Sequence, residues 1–396
     1  MKTGEFDVLR ARRDTPGCER VLHFNNAGAA LMPRQVVDAT IGHLRLEAEM
    51  GGYEAAAEAH DAVERVYGAI GSLIGCQRDE IAITENATRA WDMAFYAIPL
   101  QAGDRILTCM AEYASNYIPF LQVARRTGAI IEVIPNDEHG QVSVEALNNL
   151  VDKRVRLIAI THVPTNGGLV NPAVAIGRVA READILYLLD ACQSIGQMPI
   201  DVQHVGCDIL SATGRKYLRG PRGTGFLYVR RGILEQLEPP FLDLHAATWT
   251  AKDRYEIRPD ARRFESWETN YAGKIGLGVA VDYARSWGLE RIWTRISYLS
   301  GLLRARLNKT PHVIVHDLGA QKCGIVTFTV AGQDPQETRH RLAQQKMNVS
   351  VSLAEYTRLD MDDRELASVV RASVHYYNTE EEVERFCGTV AHLALW

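Results

Sequence analysis

The chain has 396 residues, of which 46% are hydrophobic and 23% are charged, and its formal net charge is −5. This length predicts two domains, or one large α/β domain with an appendage, and the composition is typical of a soluble globular protein. The acidic charge disfavours nucleic acid as the main partner, and no stretch approaches the run of about 18 apolar residues that crosses a membrane. We therefore expect neither a nucleic-acid partner nor a membrane partner.

The N-terminal sequence and the cysteines exclude two further classes. Residues 1–14 lack the apolar segment of a secretory signal. The seven cysteines are scattered and form no CxxC pair, which is typical of a reducing cytoplasm and not of a structural zinc site. We expect a cytoplasmic protein without a metal site.

From about residue 80 to residue 230, short apolar runs alternate with longer helical stretches. Uninterrupted runs of this length are typical of parallel strands that are covered on both faces. The helix after the third run is predicted to begin with Asn171 as N-cap and Pro172 at its first position. This region therefore predicts a doubly wound α/β domain. Its runs are RILTCM (105–110), IIEVIP (130–135), RLIAITH (156–162), ILYLLD (185–190), DILSAT (208–213) and GFLYVR (225–230).

After about residue 265 the pattern changes to that of a smaller α+β domain. A long helical region over roughly 276–308 precedes the strand-like runs VIVHDL, GIVTFTV, NVSVSL and VVRASVHY. Thr379 and Glu382 have the spacing of a capping box and predict a final helix. We predict a large domain over residues 31–262 and a small domain formed by residues 1–30 and 263–396.

Polar side chains collect at the predicted carboxyl ends of the strands, where open α/β sheets bind their ligands. Pyridoxal 5′-phosphate needs a lysine for its aldehyde, a carboxylate beside its ring nitrogen, and donors such as a helix N-terminus for its phosphate. A lysine alone at this position would indicate only an ordinary surface cation. The prediction of a pyridoxal-phosphate site therefore depends on the whole set of residues. The set is Thr84, His162, Thr165, Asp190, Gln193, Thr213, Arg215 and Lys216.

Lys216 stands just before the glycine-rich stretch GPRGTG (220–225). This stretch lacks the Lys-Ser/Thr pair of a nucleotide-binding phosphate loop. Its glycines allow the backbone to pass close to the sheet and to a cofactor, where a Cβ atom would clash. We interpret it as the turn that positions Lys216 for covalent chemistry.

Five longer motifs, which follow one another in the expected order, resemble the class V aminotransferase family. They are FNNAGAALMP (24–33), THVPTNGGLVNP (161–172), LLDACQSIG (188–196), SATGRKYLRGPRGTGFLYV (211–229) and VRASVHYYNTEEEVERF (370–386). The resemblance implies the α/β fold type I of pyridoxal-phosphate-dependent transferases, with a large, doubly wound, mostly parallel sheet domain and a smaller α+β C-terminal domain. It also implies pyridoxal 5′-phosphate as cofactor, an amino acid as substrate, and a homodimer with active sites at the interface.

The resemblance assigns roles to the residues that match the family motifs. Lys216 is the covalent anchor of the cofactor, Asp190 the partner of its ring nitrogen, and Gln193 the donor to its ring hydroxyl. Tyr113 takes the place of a ring-stacking histidine of desulfurases, although it is also consistent with simple packing. The remaining cofactor contacts are Ala87, Thr88, Thr165, Thr213, Arg215 and, from the neighbouring subunit, Asn270.

The same resemblance gives Arg371 the task of binding the substrate carboxylate in a bidentate manner. A surface ion pair is the alternative role for this arginine. The N-terminal residues Asn26, Ala27 and Gly28 are expected beside that carboxylate. Tyr53, His162, Trp267 and the loop 353–363 are expected around the substrate side chain, and a purely structural role for His162 stays open.

The reaction is the least determined part of the prediction. A cysteine desulfurase needs a nucleophilic cysteine on a mobile loop shortly before the carboxylate-binding arginine, and the chain has no cysteine between Cys323 and Cys387. The stretch EAEMGGYEAA (47–56) resembles C–S lyases of ergothioneine biosynthesis. We therefore favour a C–S lyase that eliminates the β-substituent of a cysteine-derived or cysteine sulfoxide substrate and yields pyruvate and ammonia. Lys216 would take the α-proton and Tyr113 would protonate the leaving group. An amino-acid epimerase or aminotransferase is the alternative.

Overall fold

The computed structural model describes residues 6–395 of the chain, and its elements are numbered here in chain order. The strands are β1 Leu22–His23, β2 Ile81–Thr84, β3 Arg105–Cys109, β4 Ile130–Ile134, β5 Val155–Thr161, β6 Leu186–Asp190, β7 Ile209–Thr213, β8 Gly225–Val229, β9 Ala247–Ala251, β10 Arg254–Ile257, β11 Val313–Val315, β12 Ile325–Val330, β13 Met347–Asn348, β14 Ser350–Leu353 and β15 Ser368–Ser373. The helices are α1 Val8–Arg13, α2 Asn26–Ala29, α3 Arg34–Met50, α4 Gly52–Glu58, α5 His60–Ile74, α6 Ala87–Phe95, α7 Ala114–Thr127, α8 Val144–Leu150, α9 Ala173–Glu182, α10 Val202–Val205, α11 Tyr271–Trp287, α12 Leu289–Leu307, α13 Pro335–Gln344, α14 Arg358–Asp363 and α15 Glu380–Leu393.

The large sheet has the strand order β2–β8–β7–β6–β5–β3–β4. Strand β8 is antiparallel to both of its neighbours, and the other pairs are parallel. Each run predicted from the sequence between residues 105 and 230 is a strand of this sheet, with bounds within one residue of those expected. The predicted mostly parallel sheet is therefore confirmed.

Both faces of the large sheet are buried, which explains why its strands are uninterrupted apolar runs. Leu107 and Leu189 belong to an apolar cluster on one face, together with residues of α5, α9 and α11. Ile106 and Leu188, the residues just before them, belong to a second cluster with residues of α6 and α7. The sheet is therefore covered by helices on both sides, as a doubly wound fold requires.

The register of the sheet aligns the ends of its central strands at one edge. Gly225 pairs with Thr84 on one side and with Thr213 on the other. Asp190 pairs with Thr161. Parallel strands end at the same edge of a sheet, so these strand ends form one row, beyond which a ligand site is expected.

The C-terminal part contains an antiparallel sheet in the order β11–β12–β15–β14, with α12, α13 and α15 packed beside it. The N-terminal segment joins this part, because β1 pairs with β13 and Asn25 forms a bridge with Ser373. Helix α11 instead packs against α3 and α5. The predicted domain boundaries stay a prediction, and residues 1–5 and 396 of the proposed small domain lie outside the described residues.

Two local predictions differ from the structure. The long helical region is two helices, α11 and α12, because Gly288 adopts a φ of 82° between them. Asn171 does not cap α9, whose N-cap is Pro172. Its side chain accepts a hydrogen bond from Val142 N and donates one to Thr161 O, so it joins two segments.

The capping box of Thr379 and Glu382 at the start of α15 is confirmed. Within residues 6–395, no helix combines the length and the apolar character that a membrane crossing needs.

Candidate active site

A cavity of about 770 Å³ opens at the carboxyl edge of the large sheet. Its walls come from the turn before α6, the start of α7, the ends of β5 and β6, the loop after β7, and β15. Most of the site residues predicted from the sequence meet here. They are Ala27, Gly28, Ala87, Thr88, Tyr113, Thr165, Asp190, Gln193, Thr213, Arg215, Lys216 and Arg371.

A second cavity of about 790 Å³ is lined by the beginnings of β5 and β6 and therefore lies at the opposite edge of the sheet. Many of the charged side chains that line it form ion pairs with one another. Arg156 Nε lies 3.3 Å from Asp104 Oδ1, and Arg230 Nε lies 2.7 Å from Asp208 Oδ1. The cavity at the carboxyl edge is the one that brings a lysine, a carboxylate and an arginine to a common space.

Lys216 is presented to this cavity by a tight turn between β7 and β8. Gly214 N donates to Thr224 O over 3.0 Å, and Gly220 N donates to Gly214 O over 2.7 Å. A Cβ atom on Gly214 would lie 2.3 Å from Thr224 Oγ1. A side chain there would push the turn apart, so the glycine follows from the close approach of the two chain segments.

Burial lowers the pKa of Lys216 to about 8, because the ammonium group loses its solvation. The positive charges of Arg215 and Arg371 act in the same direction, and the carboxylate of Asp190 acts against them. Lysine amines with a pKa this low are neutral in part at neutral pH. That is the form that serves as a nucleophile or base.

Asp190 ends β6 with its carboxylate buried at the cavity wall. Its Oδ1 accepts a hydrogen bond from Cys192 N over 2.8 Å, and its Oδ2 accepts one from Asn116 Nδ2 over 2.9 Å. Gln193 Nε2 donates to Ala27 O over 3.2 Å, whereas Gln193 Oε1 is buried without a hydrogen-bond partner in the part of the chain that the structure describes. Buried polar atoms are rarely left unpaired, so Gln193 indicates a site for a ligand.

The N-terminus of α6 opens onto the same cavity through Ala87 and Thr88. Asn86 caps the helix, since its Oδ1 accepts from Arg89 N over 2.9 Å. Gly225 of β8 passes directly behind this turn, and a Cβ atom on it would lie 2.9 Å from Ala87 N. A helix N-terminus held in this way is a binding site for an anion such as phosphate.

Arg215 and Arg371 contribute the two guanidinium groups of the cavity wall. Arg215 Nη1 donates to Thr213 Oγ1 over 3.0 Å. Arg371 Nη1 donates to Thr165 Oγ1 and to Thr165 O, while its Nε is buried without a partner among residues 6–395. Burial lowers the pKa of Arg371. Arg371 therefore has an N–H donor left for an anionic ligand. Among its described contacts there is no surface ion pair, which was the alternative role considered from the sequence.

Six predicted residues do not line the cavity, and two of them are Thr84, whose Oγ1 donates to Asn86 O over 3.0 Å, and Trp267, which is 54% exposed. Asn26 is buried behind it, where Nδ2 donates to Ser373 O over 2.7 Å. His162 is buried and has an unpartnered Nδ1 within residues 6–395, and burial lowers its pKa to about 4. Tyr53 is 75% exposed on α4, and Asn270 caps α11 by accepting from Gly273 N over 2.7 Å. Contact of Asn270 with a neighbouring subunit stays a prediction.

The structure also adds cavity residues that the sequence did not single out, among them Asn116, Thr161, Arg222 and Ser350, and it places Cys192 and, from the 353–363 loop, Tyr356 on the same cavity. Asn116, in the first turn of α7, donates to Oε1 of Glu112 over 2.8 Å, and Glu112 lies two residues before the start of that helix. Tyr356 belongs to the 3₁₀ turn Ala354–Tyr356, far along the chain from the other walls. Only the tertiary fold brings this turn to the cavity.

Comparisons with known proteins agree with this geometry. The class V aminotransferase family model matches residues 22–386. The chain belongs to the class V aminotransferase family. The resemblance inferred from its motifs is thereby confirmed. A probable cysteine desulfurase of Xylella fastidiosa is 32% identical over 394 residues, which cover 96% of this chain and 94% of that protein.

Two solved structures share the fold of this class V family member. The apo structure of a cysteine desulfurase from Thermococcus onnurineus has a TM-score of 0.91 and 27% identity, and the match covers 100% of this chain and 99% of that one. The complex of the cystine C–S lyase C-DES with its product cysteine persulfide has a TM-score of 0.86, with 24% identity over 95% of this chain and 99% of that one. The predicted fold type I architecture is confirmed.

The family assignment also confirms pyridoxal 5′-phosphate as the cofactor, and the cavity fits this molecule. Lys216 is available for its aldehyde, Asp190 for its ring nitrogen, and the N-terminus of α6 for its phosphate. Among the side chains that line this cavity, Gln193 Oε1 and Arg371 Nε are buried without a hydrogen-bond partner in residues 6–395, so both atoms are free for the bound molecules.

Proposed function

We propose that this class V family member is a C–S lyase acting on a cysteine-derived amino acid. A cysteine S-conjugate and one water would yield a thiol, pyruvate and ammonia, and a cysteine sulfoxide would yield a sulfenic acid instead of the thiol. One observation carries the proposal. The cavity combines Lys216, Tyr113 and Arg371, and Cys192 is the one cysteine among the described residues that line it.

Pyridoxal phosphate, when bound, supplies the electron sink that stabilises negative charge at the substrate α-carbon. The chain itself has to move two protons. Burial lowers the pKa of Lys216 to about 8, so its amine is suited to remove the α-proton near neutral pH. Arg371 would hold the α-carboxylate with its free guanidinium edge, so that the α-proton faces the lysine.

Tyr113 would donate a proton to the departing sulfur. It stands at the N-cap of α7 with its ring on the cavity wall. A phenol is a suitable acid for this step, because a thiolate or sulfenate that leaves from carbon gains stability from a nearby donor. Tyr356 lines the same cavity and supplies a second phenol close to Arg371.

Cysteine desulfuration is the second candidate, because the similar proteins of Xylella fastidiosa and Thermococcus onnurineus are named for it. That reaction transfers sulfur to a thiolate of the enzyme. The segment 354–363 has no cysteine. Burial raises the pKa of the Cys192 thiol well above its usual value, which keeps it protonated and poorly nucleophilic. These two facts favour elimination over persulfide transfer.

We further propose a cytoplasmic homodimer in which Asn270 reaches the cofactor phosphate of the neighbouring subunit. Large apolar side chains are exposed, among them Trp267 at 54%, three residues before Asn270, and Trp249 at 71% on β9. All cysteines of residues 6–395 are free, which suits a reducing compartment. A mass measurement at equilibrium tests the dimer. Recovery of activity on mixing Lys216→Ala with Asn270→Ala subunits tests the shared site.

The reaction is tested by incubating the enzyme with S-substituted cysteines, their sulfoxides and free cysteine. Pyruvate, ammonia and the released thiol in equal amounts support the lyase. Sulfide from free cysteine with alanine as co-product, and sulfur retained on the protein before reductant is added, would establish desulfuration instead. Stoichiometric pyridoxamine phosphate without pyruvate would indicate a transaminase, and loss of chirality without cleavage would indicate an epimerase.

A further inference from the structure

A buried amide bridges two carboxylates at the cavity wall. Asn116 Nδ2 lies 2.9 Å from Asp190 Oδ2 and 2.8 Å from Glu112 Oε1. All three side chains are buried, with exposures of 3% for Glu112, 3% for Asn116 and 4% for Asp190. A primary amide has two N–H donors, so each carboxylate receives one of them.

Glu112 is itself held by donors alone. Besides Asn116, its carboxylate accepts from Thr108 Oγ1 over 2.9 Å, from Tyr113 N over 3.0 Å, and from both N and Oγ1 of Thr161. The backbone and amide N–H groups of this set can only donate and favour the ionised carboxylate, whereas the negative charge of Asp190 acts against it. Burial raises the pKa of Glu112, its hydrogen bonds from Thr161 and Asn116 act against this rise, and the charge of Asp190 adds to it.

The direction of the Asn116 amide follows from this arrangement. With its oxygen turned the other way, the amide would present an acceptor to two carboxylates, and both would be left unsatisfied. Glu112 is fixed on β5 through Thr161 and on β3 through Thr108. The amide is therefore anchored on the frame of the sheet.

We propose that Asn116 is a positioning residue for the cofactor, which acts by fixing the carboxylate of Asp190 toward the ring nitrogen, and that Glu112 fixes Asn116. Asp190 has one further anchor, the backbone N–H of Cys192. Without Asn116 the carboxylate can rotate about its last bond and loses a charge-assisted hydrogen bond. This role rests on the assignment of pyridoxal phosphate to this cavity and is independent of which reaction follows.

Other charged or titratable groups also face Asp190 and the cavity, and the experiment has to separate their effects from that of Asn116. They are Tyr113 at the start of α7, Cys192 after β6, Arg215 and Lys216 in the loop after β7, and Arg371 on β15. None of them changes in the variants below.

The test compares the same substitution in two backgrounds. Apo-protein of Asn116→Ala is titrated with pyridoxal 5′-phosphate in the wild-type background and in the Asp190→Ala background. We expect the dissociation constant to rise about tenfold in the first, as for the loss of a hydrogen bond to a charged group. We expect less than a twofold change in the second, because an action through Asp190 disappears with Asp190. The visible spectrum of bound cofactor in Asn116→Ala should shift toward that of Asp190→Ala.

Asn148→Ala is the matched control, since Asn148 is an exposed helical asparagine whose Nδ2 donates to Val144 O. It should change neither the dissociation constant nor the spectrum. If Asn116→Ala does not fold, Asn116→Ser replaces it, because the shorter hydroxyl cannot bridge both carboxylates. An equal loss of affinity in both backgrounds, or no loss in either, would overturn the proposal. Wild-type protein that binds no cofactor would instead overturn the cofactor assignment itself.

Discussion

The two sides of the cavity differ in how completely their polar groups are satisfied. On the cofactor side, defined here as Asp190, Gln193, Thr213 and Lys216, the carboxylate accepts two hydrogen bonds and the hydroxyl accepts one from Arg215, whereas Gln193 Oε1 is buried without a partner among residues 6–395. On the substrate side, defined as Arg371, the guanidinium Nε is buried without a partner among residues 6–395.

This difference corresponds to two tasks. Groups on the cofactor side are fixed by the protein before anything binds, so they hold one molecule in one orientation. The substrate side has a buried hydrogen-bond donor without a partner. Burying such a donor costs free energy until a ligand accepts its hydrogen bond. Substitutions on the cofactor side should therefore affect every substrate alike, whereas substitutions on the substrate side should discriminate between substrates.

The largest effect is expected for Lys216→Ala. Loss of the amine removes both the covalent anchor and the base, so kcat should fall by about a thousandfold or more for every substrate. Borohydride treatment should no longer attach the cofactor to the peptide that contains residue 216. The exposed Lys309→Ala is the control and should behave as wild type. Attachment that persists at another lysine would show that the anchor is misassigned.

Asp190→Asn should have the next largest effect, again on all substrates. The variant keeps the shape of the side chain but removes the negative charge beside the ring nitrogen. Breaking a buried charge pair costs about 3–5 kcal/mol, which corresponds to a loss in kcat/KM of roughly 100-fold or more. Activity should be measured with cofactor in excess, so that weakened binding is separated from weakened chemistry. A loss confined to one substrate would contradict placement of Asp190 on the cofactor side.

Arg371→Lys tests the substrate side of the cavity and should therefore affect substrate binding but not cofactor binding. Lysine cannot reproduce the bidentate geometry of a guanidinium, so KM should rise by about 10- to 100-fold while cofactor affinity stays unchanged. An amino acid amide, which lacks the carboxylate, should be affected much less than the amino acid. Arg339→Lys, on the exposed face of α13, is the control. Equal losses for the amide and the acid would argue against a carboxylate contact.

Tyr113→Phe should have a moderate effect that depends on the leaving group. If the phenol protonates sulfur, kcat should fall by about tenfold or more for thiols of high pKa and little for good leaving groups. Tyr356→Phe provides the comparison on the same wall of the cavity. A loss in Tyr113→Phe that is the same for all leaving groups would indicate packing against the cofactor and not proton donation.

The smallest effect concerns pH. The pKa of Lys216 is lowered to about 8, so the neutral amine becomes the major form above pH 8. The rate at which apo-protein captures pyridoxal phosphate covalently should rise about fivefold from pH 7 to pH 8 and level off near pH 9. Arg215→Gln should move the midpoint upward, because Arg215 contributes to the lowered pKa. A rate that keeps rising tenfold per pH unit to pH 10 would show that burial does not lower this pKa.

Much of the fold was predictable because its strands are defined by local patterns. Runs such as those ending at Asp190 and Thr213 are apolar on both faces, and burial on both faces is what a central parallel strand requires. The break between α11 and α12 at Gly288 was not predicted. In sequence, a glycine that ends a helix looks the same as a glycine that a continuous helix tolerates. The cap of α9 was misplaced by one residue, because Asn171 makes its contacts with Val142 and Thr161, which are distant in sequence.

The sequence by itself determined the class of fold, the family and the row of groups at the strand ends. Each of these depends on residues that are close in the chain or on motifs in a fixed order. Only the tertiary structure decided that Asn116 bridges Glu112 and Asp190, that Tyr356 reaches the cavity, and that Tyr53 does not line it. The physical reason is that hydrogen-bond partners and burial depend on how separate segments pack, and no local pattern records that packing.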